Sequence, residues 1–254
     1  MQSVILAAGR GSRLGMLTDA APKGMVEVAG KPILDWQRRA LLAGGAEAVT
    51  VVTGYRGEVI KDYGFDTIHN DDWARGNMLS SLDCALKAFS GPLIVSYADI
   101  LYDQATVREL IASEAPVSIA YDRDWLALWQ RRLDDPLSDA ETFRIGPDGN
   151  ITEIGGKAET VGEIQGQFMG LVKLNMEGRK WIEDLLAAQP EARLGMDTTT
   201  LLSTLIAAGK PIRGLPTTGG WCEIDTQTDW QVAKALVAEG RLTLVGPHNE
   251  RGPQ

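Results

Sequence analysis

Apolar and polar positions along the chain predict strands and helices in alternation. Short apolar runs rich in β-branched residues, typical of buried strands, stand at 4–8, 48–53, 65–70, 93–102 and 212–217. Between them, apolar residues at helical spacing predict helices at 33–43, 81–89, 181–188, 198–208 and 229–239, with a short helix around Val59 and Ile60. This order predicts a single-domain, Rossmann-like α/β fold with a mixed, mostly parallel sheet and helices on both faces.

One segment departs from this alternation of strands and helices. Residues 121–141 mix charges with two tryptophans, and a hairpin follows, with strands at 143–145 and 151–154 and a turn-rich tip. A further strand is predicted at 165–172. We therefore expect one domain over 1–245 with an insert around 121–170, and a frayed tail over 246–254.

Composition narrows the possible partners. The chain has 254 residues, a net charge of −9 and two cysteines. The acidic balance argues against nucleic acid or an anionic membrane as a partner, and two cysteines cannot form a disulfide framework or a metal cluster. The sequence has no long apolar span and no basic leader, so we expect a cytoplasmic protein. An anionic ligand would have to be held by a few well-placed cations.

Such cations stand directly after the first predicted strand. The loop is Gly9-Arg10-Gly11-Ser12-Arg13, and Lys23 follows behind Pro22. Glycines let backbone N–H groups approach an anion closely, and arginines add forked donors. The spacing fits neither a Walker loop nor the dinucleotide-binding fingerprint. The loop therefore predicts a polyphosphate site of another type.

Three carboxylates are candidates for a metal site. Asp99 appears as the strand 93–102 ends, where ligands of parallel sheets bind, although a capping role is the alternative. Glu223 and Asp225 alternate in strand fashion and so point the same way. Carboxylates placed together are costly without a cation, and hard divalent ions prefer oxygen ligands. We predict a site for Mg²⁺ at Asp99, Glu223 and Asp225.

The basic loop belongs to a longer motif that resembles the signature of the nucleotide-diphospho-sugar transferase superfamily, which are nucleotidyltransferases. The motif reads Leu6-Ala7-Ala8-Gly9-x-Gly11-x-Arg13-Leu14, Leu17-Thr18, Pro22-Lys23 and Gly30-Lys31-Pro32. The resemblance extends from Ser3 to about Val237. It implies nucleotide binding by Leu6, Ala7, Ala8, Gly9, Arg10, Gly11 and Ser12, catalytic roles for Arg13 and Lys23, and metal ligation by Asp99 and Asp225.

Further roles are predicted, each beside a simpler alternative, and the resemblance favours those of the Asn77 segment and of Lys157. Asn77, Ser80 and Ser81 are predicted to contact the nucleobase, although Asn77 or Ser80 would also cap a helix. Lys157, after a glycine pair, is predicted to be a catalytic cation that neutralises an acceptor phosphate or phosphonate, or is simply solvated. Trp125 and Trp129 could box an ammonium group of the acceptor, whereas the favoured alternative is that they anchor the insert to the core.

The branch that the chain most resembles is that of the cytidylyltransferases for phosphocholine or small phosphonates. This resemblance depends on three features of the sequence: Pro22-Lys23-Gly24-Met25, the segment 96–102, and the tryptophan-bearing insert together with 223–226. The implied reaction is CMP transfer from CTP to 2-aminoethylphosphonate, its hydroxy analogue or phosphocholine. The runner-up is a sugar-1-phosphate nucleotidyltransferase using dTTP, UTP or GTP, which Gly15-Met16 in place of the usual proline weakens. A non-catalytic nucleotide sensor is a third possibility, and the oligomeric state stays open between monomer and homodimer.

Overall fold

The structure is a computed structural model and describes residues 1–245. The predicted tail over 246–254 lies outside the described residues. The strands are β1 (Gln2–Ala7), β2 (Glu27–Val28), β3 (Lys31–Pro32), β4 (Ala48–Thr53), β5 (Asp66–His69), β6 (Leu93–Tyr97), β7 (Ile100–Tyr102), β8 (Val117–Asp122), β9 (Glu141–Ile145), β10 (Ile151–Lys157), β11 (Gln167–Leu174), β12 (Ile212–Thr217) and β13 (Trp221–Glu223). The α-helices are α1 (Ile33–Gly44), α2 (Gly57–Asp62), α3 (Met78–Ala88), α4 (Gln104–Ala112), α5 (Trp125–Arg132), α6 (Met176–Ala188), α7 (Ala192–Gly195), α8 (Thr198–Ala207) and α9 (Gln227–Ala238).

The main sheet has seven strands in the order β12-β8-β11-β6-β1-β4-β5. Every neighbouring pair is parallel except the two that β11 makes, with β6 and β8. The predicted α/β fold with a mixed, mostly parallel sheet is therefore confirmed. Within 1–245, no helix is long and apolar enough to cross a membrane.

Strand β1, an inner strand of the main sheet, determines where the candidate site lies. Val4 and Ile5 are fully buried, because β1 lies between β4 and β6 with other layers above and below it. From β1 the chain runs outward through β4 and β5, then returns to the other side of β1 as β6. The order of strands thus reverses at β1, and such a switch point opens a crevice at the carboxyl ends of the strands.

The predicted strand at 93–102 is wrong as a single element. It breaks at Ala98-Asp99 into β6 and β7, and β7 leaves the main sheet to pair with β13. The buried amide of Gln37, on α1, stabilises this interruption of the strand, because its Nε2 donates to the carbonyls of Tyr97 at 2.6 Å and Ile100 at 2.7 Å. The break carries Asp99 out of the sheet and towards the end of β13.

Other boundaries also differ from the predictions. Helix α3 begins at Met78, three residues before the predicted start, because Asn77 caps it by accepting from the Met78 N–H at 2.7 Å. The ends of the predicted insert belong to the main sheet, as β8 extends to Asp122 and β11 begins at Gln167. The intervening residues 123–166 hold α5 and the β9–β10 hairpin. Helix α4 and the first part of β8 lie in 103–120, a segment without a predicted element.

Candidate active site

A cavity of about 210 Å³ opens in the crevice between the loop after β1 and the N-terminal end of α3. The predicted site residues that line it are Leu6, Ala7, Ala8, Gly9, Gly11, Lys23, Asn77, Ser80, Ser81 and Asp99. These residues come from four separate parts of the chain that the switch point brings together. Arg10, Ser12 and Arg13 belong to the same loop but do not form the wall of this cavity.

The loop geometry depends on Gly11. Its φ of +74° lies in the left-handed region, and a Cβ there would lie 2.5 Å from the Cβ of Lys23. Glycine therefore lets the Lys23 side chain pass directly against the loop. Of the two loop arginines, Arg10 bonds Asp19 at 2.8 Å and lies over the Tyr55 ring, and Arg13 bonds the Asp225 carboxylate at 2.8 Å. Arg13 is thus directed towards the acidic residues next to the cavity.

Lys23 joins the cavity to these acidic residues. Its Nζ donates to Asp99 Oδ2 at 2.6 Å and to Asp225 Oδ1. Burial lowers the pKa of Lys23, but the two carboxylates outweigh that effect and raise the pKa above its usual value. The side chain therefore carries a fixed positive charge at neutral pH, at the wall of the cavity.

The carboxylates of Asp99, Glu223 and Asp225 lie close together. Each offers a carboxylate oxygen, and these three oxygens lie within 4.8 Å of one another. The backbone holds the group together, because the Ile224 N–H donates to the Asp99 carbonyl at 2.8 Å. Burial is the main cause that raises the pKa of Glu223, and the negative charges of Asp225 and Asp99 add to it against the opposing effect of Arg132.

The donor set fits a divalent cation. All three ligands are hard oxygens of the kind that Mg²⁺ and Ca²⁺ prefer. Asp99 Oδ1 is buried and has no hydrogen-bond partner among residues 1–245, which is costly for a carboxylate oxygen unless a cation satisfies it. The three carboxylates therefore form a group that could hold a divalent metal ion.

A network of amide and hydroxyl groups surrounds Asn70, which also lines the cavity. Its Nδ2 donates to Ser80 Oγ at 2.9 Å and Ser81 Oγ at 3.1 Å, and its Oδ1 accepts from the Asp72 N–H at 3.0 Å. Sequence reasoning missed Asn70, although its position at the carboxyl end of a predicted strand was a usable signal.

Trp73 was also missed. It lines the cavity and packs against Gly54, where a Cβ would lie 2.3 Å from the Trp73 Cβ. Its ring meets Tyr55 edge to face, with 5.8 Å between the ring centroids. Trp73 thus gives the cavity one rigid aromatic wall. A single tryptophan in a polar loop carried no periodic signal that would have identified it.

Trp125 and Trp129 lie in the core and do not line the cavity beside Lys23. Each is 3% exposed, and their rings pack 5.9 Å apart. Trp125 Nε1 donates to the Ile164 carbonyl at 3.3 Å, and the Arg132 guanidinium lies 4.8 Å from the centre of the Trp129 ring. This placement fits the interpretation that the tryptophans anchor the insert, because an acceptor could not reach either ring.

Lys157 stands apart from the cavity. It is exposed at the end of β10, opposite Glu141 of β9. Glu141 is half-buried, and its pKa is raised to about 7, first by burial and then by the negative charges of Asp197 and Asp139. The structure thus places Lys157 on the hairpin, in a region of negative charge.

The raised pKa of Glu141 predicts how stability depends on pH. The folded state binds this proton more tightly than the unfolded chain does, so stability falls as the pH rises from about 4.5 to about 7 and stays lower above that window. Glu141→Gln is expected to be more stable than the wild type by about 1–2 kcal/mol at pH 8, after discounting for partial exposure, and equal to it at pH 4.5. Urea unfolding at both pH values tests this. Glu109→Gln, exposed on α4, serves as the control. Parallel pH profiles for Glu141→Gln and the wild type would contradict the prediction.

Comparisons with known proteins show the family of the chain. The model of the MobA-like NTP transferase domain matches residues 3–144. The chain is 36% identical to the CTP:phosphoglutamine cytidylyltransferase of Campylobacter jejuni over 251 residues, which cover 91% of this chain and 98% of that protein. It is 30% identical to the CMP-5'-(3-aminopropyl)phosphonate synthase of Streptomyces rubellomurinus over 131 residues, 48% of this chain and 21% of that protein.

The fold also matches a solved structure. The CTP:phosphocholine cytidylyltransferase of Streptococcus pneumoniae superposes with a TM-score of 0.72 at 20% identity, over 93% of this chain and 98% of that one. The resemblance predicted from the sequence is confirmed, and the two relatives described above are named for transfer from CTP to phosphoglutamine and for synthesis of a CMP phosphonate. The chain belongs to the MobA-like NTP transferase family of nucleotidyltransferases.

Proposed function

We propose that the protein is a cytidylyltransferase that transfers CMP from CTP to a small phosphorylated or phosphonate acceptor and releases pyrophosphate. The observation that supports this is the contact of Lys23 with both Asp99 and Asp225, because Lys23 and Asp99 line the cavity in the switch-point crevice. One cation and two carboxylates at this point suit a reaction at a phosphate group. The names of the relatives support the base and the acceptor class.

The chemistry needs positioning more than covalent catalysis. An acceptor oxygen attacks the α-phosphorus in line, and the bond from that phosphorus to the β-phosphate oxygen breaks as the new bond forms. Since a phosphate or phosphonate oxygen is already anionic near neutral pH, no general base is required. Lys23 and Arg13 neutralise the charge that develops on the leaving pyrophosphate. Mg²⁺ held by Asp99, Glu223 and Asp225 would supply Lewis-acid stabilisation of phosphate oxygens.

The network around Asn70 supports a preference for cytosine. The amide orientation is fixed, because Oδ1 accepts from the Asp72 N–H, so both serines must act as acceptors towards Nδ2. The Ser80 hydroxyl donates its hydrogen bond to the Asn77 carbonyl at 2.7 Å. Among residues 1–245 the Ser81 hydroxyl finds no acceptor, so it is free to donate to a ligand in the cavity. Both cytosine and uracil accept hydrogen bonds at O2, but only cytosine accepts at N3, where uracil carries a hydrogen. A proton donated by Ser81 therefore favours cytosine when it meets N3.

The direct test is magnesium-dependent pyrophosphate release with purified protein. CTP, UTP, dTTP and GTP would be crossed with phosphoglutamine, phosphocholine, 2-aminoethylphosphonate and glucose 1-phosphate. We expect turnover with CTP and at least one of the first three acceptors. Turnover only with glucose 1-phosphate would replace the acceptor class with a sugar phosphate. Nucleotide binding without turnover across the whole grid would favour a nucleotide sensor.

The base preference has its own variant within that assay. Ser81→Ala is expected to lower kcat/KM for CTP about 3- to 10-fold and to change kcat/KM for UTP little, as for the loss of one neutral hydrogen bond. Ser80→Ala is the matched control, because the Ser80 proton is already used inside the protein. An equal loss for both nucleotides would show that Ser81 does not read the base.

A further inference from the structure

Arg132, the last residue of α5, lies directly behind the metal-binding carboxylates. Its side chain is 3% exposed, although it belongs to the insert and not to the main sheet. One nitrogen, Nη2, contacts Glu223 Oε2 at 2.9 Å, and Nε donates to Asp229 Oδ1 at 2.8 Å. Glu223 and Asp229 outweigh the effect of burial and raise the pKa of Arg132, so its positive charge is permanent.

Asp229 extends this contact to a second carboxylate of the group. Its Oδ2 accepts from the backbone N–H of Asp225 at 3.0 Å, and from the Thr226 N–H at 2.8 Å and Oγ1 at 3.0 Å. Asp229 is itself 1% exposed and caps the first turn of α9. Arg132 therefore bonds Glu223 directly and holds the backbone of Asp225 through one intermediate carboxylate.

A purely structural role explains this arrangement poorly. Burying an arginine between two carboxylates is costly, and apolar residues of similar volume often stabilise a protein as well or better. Helices α5 and α9 are already joined at the surface, where Arg131 makes a two-pronged contact with Glu239, each bond 2.7 Å long. The buried arginine thus adds a constraint on Glu223 and Asp225 that the joining of the helices does not need.

We propose that Arg132 is a positioning residue for the divalent cation, orienting Glu223 directly and Asp225 through Asp229. The proposal rests on the metal site of the proposed function. Residues that orient metal ligands from behind change metal affinity by about 10- to 100-fold when they are replaced. The insert that carries Arg132 is thereby coupled to the carboxylates of the reaction centre.

The test is Mn²⁺ binding to the whole protein without nucleotide or acceptor, followed by electron paramagnetic resonance. Arg132→Met is expected to raise the Mn²⁺ Kd about 10- to 100-fold. Arg132→Lys should fall between Arg132→Met and the wild type, because a point charge can satisfy one carboxylate but not reproduce the fork. Arg131→Gln is the matched control: it removes the surface link between α5 and α9 and should leave the Mn²⁺ Kd within twofold.

The outcomes separate this proposal from the proposed reaction. A wild-type Mn²⁺ Kd in Arg132→Met, or an equal loss in Arg131→Gln, would overturn the role of Arg132 and leave the reaction standing. Weakened binding in Arg132→Met alone would support it even if the wild type turned over no acceptor. If Arg132→Met does not fold, Arg132→Lys and Asp229→Asn carry the same test. A wild type that binds no Mn²⁺ would overturn both the metal site and the role of Arg132.

Discussion

Replacing Asp225 with asparagine is expected to lower kcat for nucleotidyl transfer by about 10³-fold and to weaken divalent-metal binding. Asp225 is the residue on which the candidate active site converges, because Lys23, Arg13 and the other two carboxylates all lie against it. Asparagine keeps the shape of the side chain but removes the anionic charge, so one of three anionic ligands is lost. Steady-state pyrophosphate release over a range of Mg²⁺ concentrations measures both effects.

Asp103→Asn is the control for Asp225→Asn. Asp103 follows β7 and caps α4 by accepting from the Thr106 N–H at 3.0 Å, and asparagine caps helices as well as aspartate does. The control should keep wild-type kcat within about twofold. If Asp225→Asn retained kcat within tenfold of the wild type at saturating Mg²⁺, Asp225 would not be a ligand of the reactive cation.

Several residues of this site could be predicted from sequence because they lie just after the ends of strands. Gly9 follows β1, and Asp99 follows β6, so the topology of a parallel sheet alone places them at the same edge. Asn70 follows β5 by the same rule. Gly11 and Lys23 belong to one motif and are close in sequence, and they also lie against each other in the folded loop.

What could not be predicted depends on contacts between distant segments. The Lys23 to Asp225 bond spans 202 positions, and no periodicity shows that the lysine lies between two carboxylates. Arg132 ends an amphipathic helix in a charged stretch, where an arginine is usually a solvated residue. Its burial depends on tertiary packing, including that of α5 against α9. The break in the strand at 93–102 depends on Gln37, a polar residue in a helix whose burial the apolar pattern does not indicate.

Lys23→Met is expected to lower kcat about 10²- to 10³-fold while leaving divalent-metal affinity unchanged or higher. Methionine keeps most of the length that packs against Gly11 but removes the ammonium group, which contacts Asp99 and Asp225. The loss of a positive charge strengthens the negative field of those carboxylates, so metal binding should not suffer, whereas the charge that develops on pyrophosphate loses a stabilising cation.

Lys31→Met, in the same motif but 3.8 Å from Asp35 and away from the cavity, is the matched control. Measuring kcat and the Mn²⁺ Kd on the same preparations separates this effect from that of Asp225→Asn, which should impair both. A Lys23→Met variant with wild-type kcat would show that Lys23 only balances the charge of the carboxylates and has no part in transfer.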